Sequence, residues 1–180
     1  MTPREIAPMA ETPVAPQDVL PGPRADELRQ LLTRGKAAPL TVAPRSTLDL
    51  TIYLGKYFPG YPTLATSGGA GASVELVYAE ALSEQTKKAR RDDLSRGSVE
   101  LHNPSDIIRP GGGDETWEPI WIRCARFVRV RVSTADAPLV IRDLRFRFAS
   151  YPFRQQARFE SSDAELAAIW DVSWHTALCC

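Results

Sequence analysis

The chain has 180 residues, 43% of them hydrophobic, which allows one domain with a substantial core plus an appendage. Lys+Arg and Asp+Glu both total 22, so the formal net charge is zero, which argues against binding of nucleic acid or an anionic membrane through bulk charge. No apolar run approaches the length of a membrane span, and MTPREIAPMAETPVAPQDVL lacks the apolar stretch of a signal peptide.

Residues 1–22 carry Pro3, Pro8, Pro13, Pro16 and Pro21 and show no periodicity. Proline lacks an amide donor, so this reads as an extended arm that drapes over something or links domains. Pro23 suits a first helical position, Leu28, Leu31 and Leu32 form a short apolar stripe, and Gly35 provides a stop. A short helix is expected there, within an arm and linker region spanning residues 1–40.

From about residue 41 the period becomes two. Leu48, Leu50, Ile52 and Leu54 alternate with Thr47, Asp49, Thr51 and Tyr53, the pattern of a half-buried strand. YFPGYP (57–62) has turn chemistry and reads as a loop before a short strand at 64–67. SGGAGA (67–72) reads as a hairpin turn, because no Lys-Ser/Thr and no helix follow it as a phosphate loop requires. Val74, Leu76 and Tyr78 line one strand face, residues 83–97 read as an exposed loop, and Ile107 and Ile108 mark a short strand. Trp117 to Ile122 reads as another strand. Val128, Val130 and Val132 alternate with Arg129 and Arg131, and Leu144, Phe146 and Phe148 with Arg145 and Arg147. The span 123–148 therefore reads as an antiparallel hairpin with an Arg-rich solvent face. Short strands with Gly/Pro turns and no helices between them predict an all-β fold. The expectation is an antiparallel β-sandwich (jelly-roll or concanavalin-like) over residues 41–152.

Residues 153–180 form a connector and the start of a helix. Ser162 and Glu165 make an S-x-x-E capping box, with Asp163 in the first turn. Leu166, Ile169, Trp170, Ser173 and Ala177 follow at helical spacing, with Trp174 and Leu178 beside them. A helix with two tryptophans on its apolar side must pack on something, so Trp170 and Trp174 are candidates for interdomain packing. The chain reads as a piece of a larger protein.

Several residue groups carry possible chemistry. The cysteines are Cys124, Cys179 and Cys180, an odd count without C-x-x-C, which is no disulfide framework and suits a reducing compartment such as the cytoplasm. Cys124 shares strand spacing with Val128 and reads as a small buried residue. With His102 and His175 the only imidazoles, no zinc spacing exists. Asp106, Asp114, Glu115 and Glu118 cluster near the PGGGD turn. They read first as solvated turn residues, with a Ca²⁺ site or acid–base work on a glycosidic bond as the alternatives. Trp117 and Trp121 stand at even spacing on one expected strand. They either plug the core or form a platform for sugar rings. Arg126, Arg129, Arg131, Arg142, Arg145 and Arg147 make a stripe that reads as a solvated or interdomain face, or as a surface for acidic polysaccharide. Ser162, Asp171 and His175 are the residue types of a triad, but Ser162 reads as a cap, and His175 and Trp174 as facing a neighbouring helix.

Taken together, these segments resemble bacterial α-L-rhamnosidases. FESSDAELAAIWDVSWHTALCC (159–180) is similar to the first helix of that family's (α/α)6 catalytic barrel, a six-hairpin glycosidase fold. ELVYAEAL (75–82), Arg91, Asp106, TWEPIWIRCARFVRVRV (116–132) and SYP (150–152) follow the order of its central sandwich, and TPREIAPMAE resembles the preceding linker. The resemblance implies an inverting glycoside hydrolase of carbohydrate metabolism that removes terminal α-L-rhamnose from glycosides or polysaccharides without a nucleotide cofactor. It places the catalytic acids in the barrel, beyond Cys180, so no catalytic residue is assigned. The implied partners are a rhamnose-containing glycoside and the remaining domains of the same enzyme. The implied role is an accessory, inactive sandwich. Two rivals stand beside it: a free carbohydrate-binding module using Trp117 and Trp121, and an interaction domain whose terminal helix docks on another chain.

Overall fold

The computed structural model describes residues 7–84, 87–89 and 93–180. Among these residues eleven strands and two α-helices follow in chain order. They are β1 (Ala10–Val14), β2 (Asp18–Val19), α1 (Ala25–Arg34), β3 (Leu40–Val42), β4 (Thr47–Gly68), β5 (Ser73–Ala79), β6 (Ser83–Glu84), β7 (Lys87–Lys88), β8 (Ser105–Ile108), β9 (Asp114–Trp117), β10 (Arg123–Ser133), β11 (Leu139–Ser150) and α2 (Ala164–Leu178).

The sandwich is built on β4, which belongs to two antiparallel ladders. Its first half pairs with β10 and β2, and β10 passes the ladder on to β5 and β8. Its second half pairs with β11 and β9, and the far edge of β11 takes β1 and β3. Leu48, Leu50, Ile52, Val74, Leu76, Val128 and Val130 point from the first ladder into one core. Leu64, Leu139, Ile141, Leu144 and Phe146 meet them from the second. The expected all-β sandwich with a C-terminal helix is therefore what the chain forms.

The alternation placed the strands but not their partners. YFPGYP is no loop: Phe58, Pro59 and Gly60 continue β4 and pair with Ala125, Cys124 and Arg123. The expected 123–148 hairpin does not form, because β10 and β11 pair with different halves of β4. SGGAGA likewise joins strands that do not pair with each other, and crosses between ladders instead of closing a hairpin. Gly69 and Gly71 have φ of 74° and 78°, a left-handed backbone open to glycine at little cost. Trp117 closes β9, so residues 118–122 lie outside any strand.

A bulge between Ala125 and Phe127 breaks the period of two in β10. It corrects two expectations at once. Cys124 is exposed, not buried, and Arg126 is turned inward, only 9% exposed. Phe127 fills a second core with Tyr53, Val77, Leu82 and Val99, on the opposite face of the first ladder. The expected loop at 83–97 contains β6 and β7, and part of it falls outside the described residues.

The arm is partly ordered as β1, which pairs with the end of β11 from Ala10↔Ser150 to Val14↔Phe146. Pro13 is tolerated because β1 is an edge strand. The expected helix is α1. Leu28 and Leu31 are fully buried, worth about 1.5–3 kcal/mol each relative to exposure, and the Gly35 amide bonds back to Leu31.

Candidate functional site: the seam between the terminal helix and the sandwich

α2 begins at Asp163, not at Ser162. The Asp163 carboxylate accepts from the Glu165 amide at 2.9 Å, and the Ser161 hydroxyl accepts from the Asp163 amide. An acidic cap is worth about 1 kcal/mol. The shift of one residue makes Asp163 the cap, where the sequence pattern had placed it in the first turn.

The helix touches the sandwich through its last two turns. His175 Nε2 lies 2.8 Å from the Tyr57 carbonyl, so the Nε2–H tautomer donates there. The imidazole stands edge-on to Phe58 at 5.3 Å and near Phe148 at 6.1 Å. Cys179 Sγ donates to the same carbonyl at 3.4 Å. His175 therefore faces strands, not the expected neighbouring helix, and it forms no triad with Ser162. Burial raises the Cys179 thiol above its usual pKa, with Cys180 and Cys124 adding to the effect, so it is a protonated, poor nucleophile at neutral pH. Burial also pushes the Tyr57 phenol up to about 12, helped by its hydrogen bond with Cys124.

The tryptophans divide differently from the expected pattern. Trp170 stacks on Phe159 at 5.5 Å, and Trp174 lies edge-on to Phe153 at 6.4 Å, so both pack on the connector that precedes α2. Leu166, Ile169 and Val172 are 43%, 58% and 56% exposed, and α2 buries no residue fully. An apolar helix face is left without a covering surface. Ile169→Gln with Val172→Gln should shift the melting temperature of the free chain by under about 4 °C, because exposed positions seldom contribute more than about 0.5 kcal/mol each. A larger fall in a thermal scan would show that the face is covered.

Trp117 packs half-buried against the main core, while Trp121 is 68% exposed beside Ile120 at 89%. Only Trp117 belongs to a strand, so the even spacing does not set the two on one strand face.

The acidic cluster is divided among protein partners. Asp106 takes a two-pronged contact from Arg123 and a 2.9 Å bond from the Tyr78 hydroxyl. Asp114 pairs with Arg142, and Glu118 with Arg147. Glu115 accepts from the Gly111 amide at 2.8 Å. Among the described residues no three potential ligands converge on a metal position.

The arginine stripe is a ladder of ion pairs. Arg129 binds Asp49, Arg131 binds Glu75, Arg142 binds Asp114, Arg145 binds Asp143 and Arg147 binds both Glu11 and Glu118. Arg126 differs. Its Nη2 donates to the Tyr53 hydroxyl at 2.9 Å, and its guanidinium stands 5.2 Å from the Tyr53 ring centre and 5.6 Å from that of Phe127. Its buried Nε has no acceptor. The aromatic contacts offset about 1–2 kcal/mol of its desolvation.

The fold is shared with parts of two rhamnosidases. One is a GH78 family rhamnosidase of Bacillus sp. GL1, matched at a TM-score of 0.60 and 24% identity over 79% of this chain and 14% of that one. The other is a rhamnosidase from Klebsiella oxytoca with rhamnose bound, matched at a TM-score of 0.60 and 14% identity over 97% of this chain and 34% of that one. No protein-family model and no curated protein matches the sequence. At these identities the likeness establishes the fold: the chain folds as a segment of each rhamnosidase does. It spans about a third or less of their lengths.

Proposed function

We propose that the chain is an accessory β-sandwich of an α-L-rhamnosidase-type glycoside hydrolase. The observation that carries this reading is the uncovered apolar face of α2, Leu166, Ile169 and Val172, on a chain whose fold recurs inside two much longer rhamnosidases. A helix pinned at one end by His175 and bare along its outer side suits a part that is continued by a larger helical domain. That domain would supply the acids that invert terminal α-L-rhamnose, and the sandwich would brace it. Asp106, Asp114 and Glu118 are each held by an arginine, and burial raises the Cys179 thiol, so none of these four stands free as acid, base or nucleophile.

The purified 180-residue chain is expected to leave an aryl α-L-rhamnoside unhydrolysed. Protein made from the reading frame extended past Cys180, if that extension carries clustered acidic residues at helical spacing, is expected to release rhamnose from it. Turnover by the short chain, surviving removal of contaminating enzyme, would refute the accessory role.

A second reading rests on Trp121, whose exposed indole suits stacking on a sugar ring. It predicts a change in indole fluorescence with millimolar rhamnose that Trp121→Ala removes.

A further inference from the structure

A buried positive charge needs a counter-charge, and Arg126 has none among the described residues. Every other arginine of the stripe is held by a carboxylate. The side chain of Arg126 is among the few buried polar groups, 9% exposed, and no carboxylate pairs with it among the described residues. The Tyr53 hydroxyl takes one of its donors, and the orphaned Nε takes none. A desolvated guanidinium with an unmade hydrogen bond is a costly arrangement unless something completes it.

Nε is itself shut off from solvent, while the residue borders a cleft. Arg126 lines an open cleft of about 480 Å³ together with Tyr57, Glu80 and Lys88. Glu80 and Lys88 neutralise each other at 3.0 Å, so among the described residues that line the cleft Arg126 leaves a net charge of +1. The volume falls in the range of small-molecule sites. The planar fork of a guanidinium matches the two oxygens of a carboxylate better than any neutral acceptor. The Tyr57 side chain in the same wall stays a neutral phenol up to about pH 12, so it adds no negative charge that would repel an anion.

We propose that this cleft binds a small carboxylate-bearing ligand of about the size of one uronic acid, with its carboxylate on Arg126. The proposal does not depend on the rhamnosidase reading, since a sandwich of any parent protein would present the same cleft.

The test is a titration of the ¹⁵N-labelled chain with glucuronate, followed through the arginine Nε–H resonances, with glucose as the neutral counterpart. The Arg126 Nε–H signal is expected to move and saturate with glucuronate and to stay still with glucose. Acetate is expected to move the same signal more weakly, which would separate simple carboxylate capture from recognition of the sugar ring. Glu80→Gln, at an exposed position, is expected to tighten glucuronate by about threefold or more, because it removes the one negative charge among the described residues of the cleft wall. Arg126→Lys keeps the charge and loses the fork, and should weaken binding about tenfold. If that variant does not fold, the Glu80→Gln comparison still decides. An unmoved Arg126 signal at tens of millimolar glucuronate, or an equal response to glucose, would overturn the proposal.

Discussion

Gly60→Ala is expected to cost about 4 kcal/mol or more, or to leave the chain unfolded. Gly60 lies where β4 passes from one ladder to the other, facing Arg123 on β10 and Phe148 on β11. A Cβ there would sit 1.8 Å from the Arg147 carbonyl oxygen and 2.8 Å from its carbon. Those atoms are backbone in the middle of a ladder, so no side-chain rotation relieves the clash. The strands must separate, and the Phe146 and Phe148 packing goes with them. Gly60 has no positive φ, so this is a demand for space and not for conformational freedom. Gly113→Ala is the control, since nothing lies within 4 Å of a Cβ there, and it should change stability by under about 0.5 kcal/mol. Chemical denaturation of both variants checks the pair, and equal midpoints would contradict the assigned crossing.

Asp106→Ala is expected to be nearly as damaging. Asp106 is the one acceptor for both the Arg123 fork and the hydroxyl of Tyr78, a residue otherwise inside the main core. The Asp106 carboxylate and the burial of the ring together hold the Tyr78 phenol well above its usual pKa, burial being the larger cause. Removing the carboxylate strands a guanidinium and a buried hydroxyl together. Breaking a fully buried pair costs about 3–5 kcal/mol, and the residual exposure here brings the expected loss to about 2–4 kcal/mol. Adding Arg123→Met to Asp106→Ala should recover at least half of that, because it removes the stranded charge. If the double variant is no more stable than the single one in urea melts, the loss comes from packing and not from the ion pair.

How far the sequence could be read follows from the range of each interaction. Alternation is local, so Val128, Val130 and Val132 announced a buried face, and Leu28 and Leu31 announced a helix stripe. Pairing is not local. Nothing in residues 123–148 reveals that β10 and β11 separate onto the two halves of β4. The YFPGYP segment misled because Pro and Gly usually break strands, whereas here Gly60 supplies the space that lets two ladders share one strand. The bulge after Ala125 reversed the expected sides of Cys124 and Arg126, and no residue there signals it. The candidate site was legible in kind but not in arrangement. The helical stripe marks Trp170 and Trp174 for interdomain packing, and within this chain their ring partners are Phe159 and Phe153 of the connector. The partners of the arginine stripe were invisible because Arg129 and Asp49 lie 80 residues apart. Without those partners, Arg126 could not be recognised as the exception.

The pairing of β1 with β11 also sets an order of assembly during synthesis. Ala10 meets Ser150, so β1 must wait for β11 before its amides are satisfied. β4 faces a similar delay, because its two main partners, β10 and β11, are both made after it. At about 5–20 residues per second, a ribosome holds Leu48, Leu50 and Leu64 without their partners for several seconds or more. A nascent chain of this topology is therefore expected to fold late and all at once, and to depend on chaperones while it is being made.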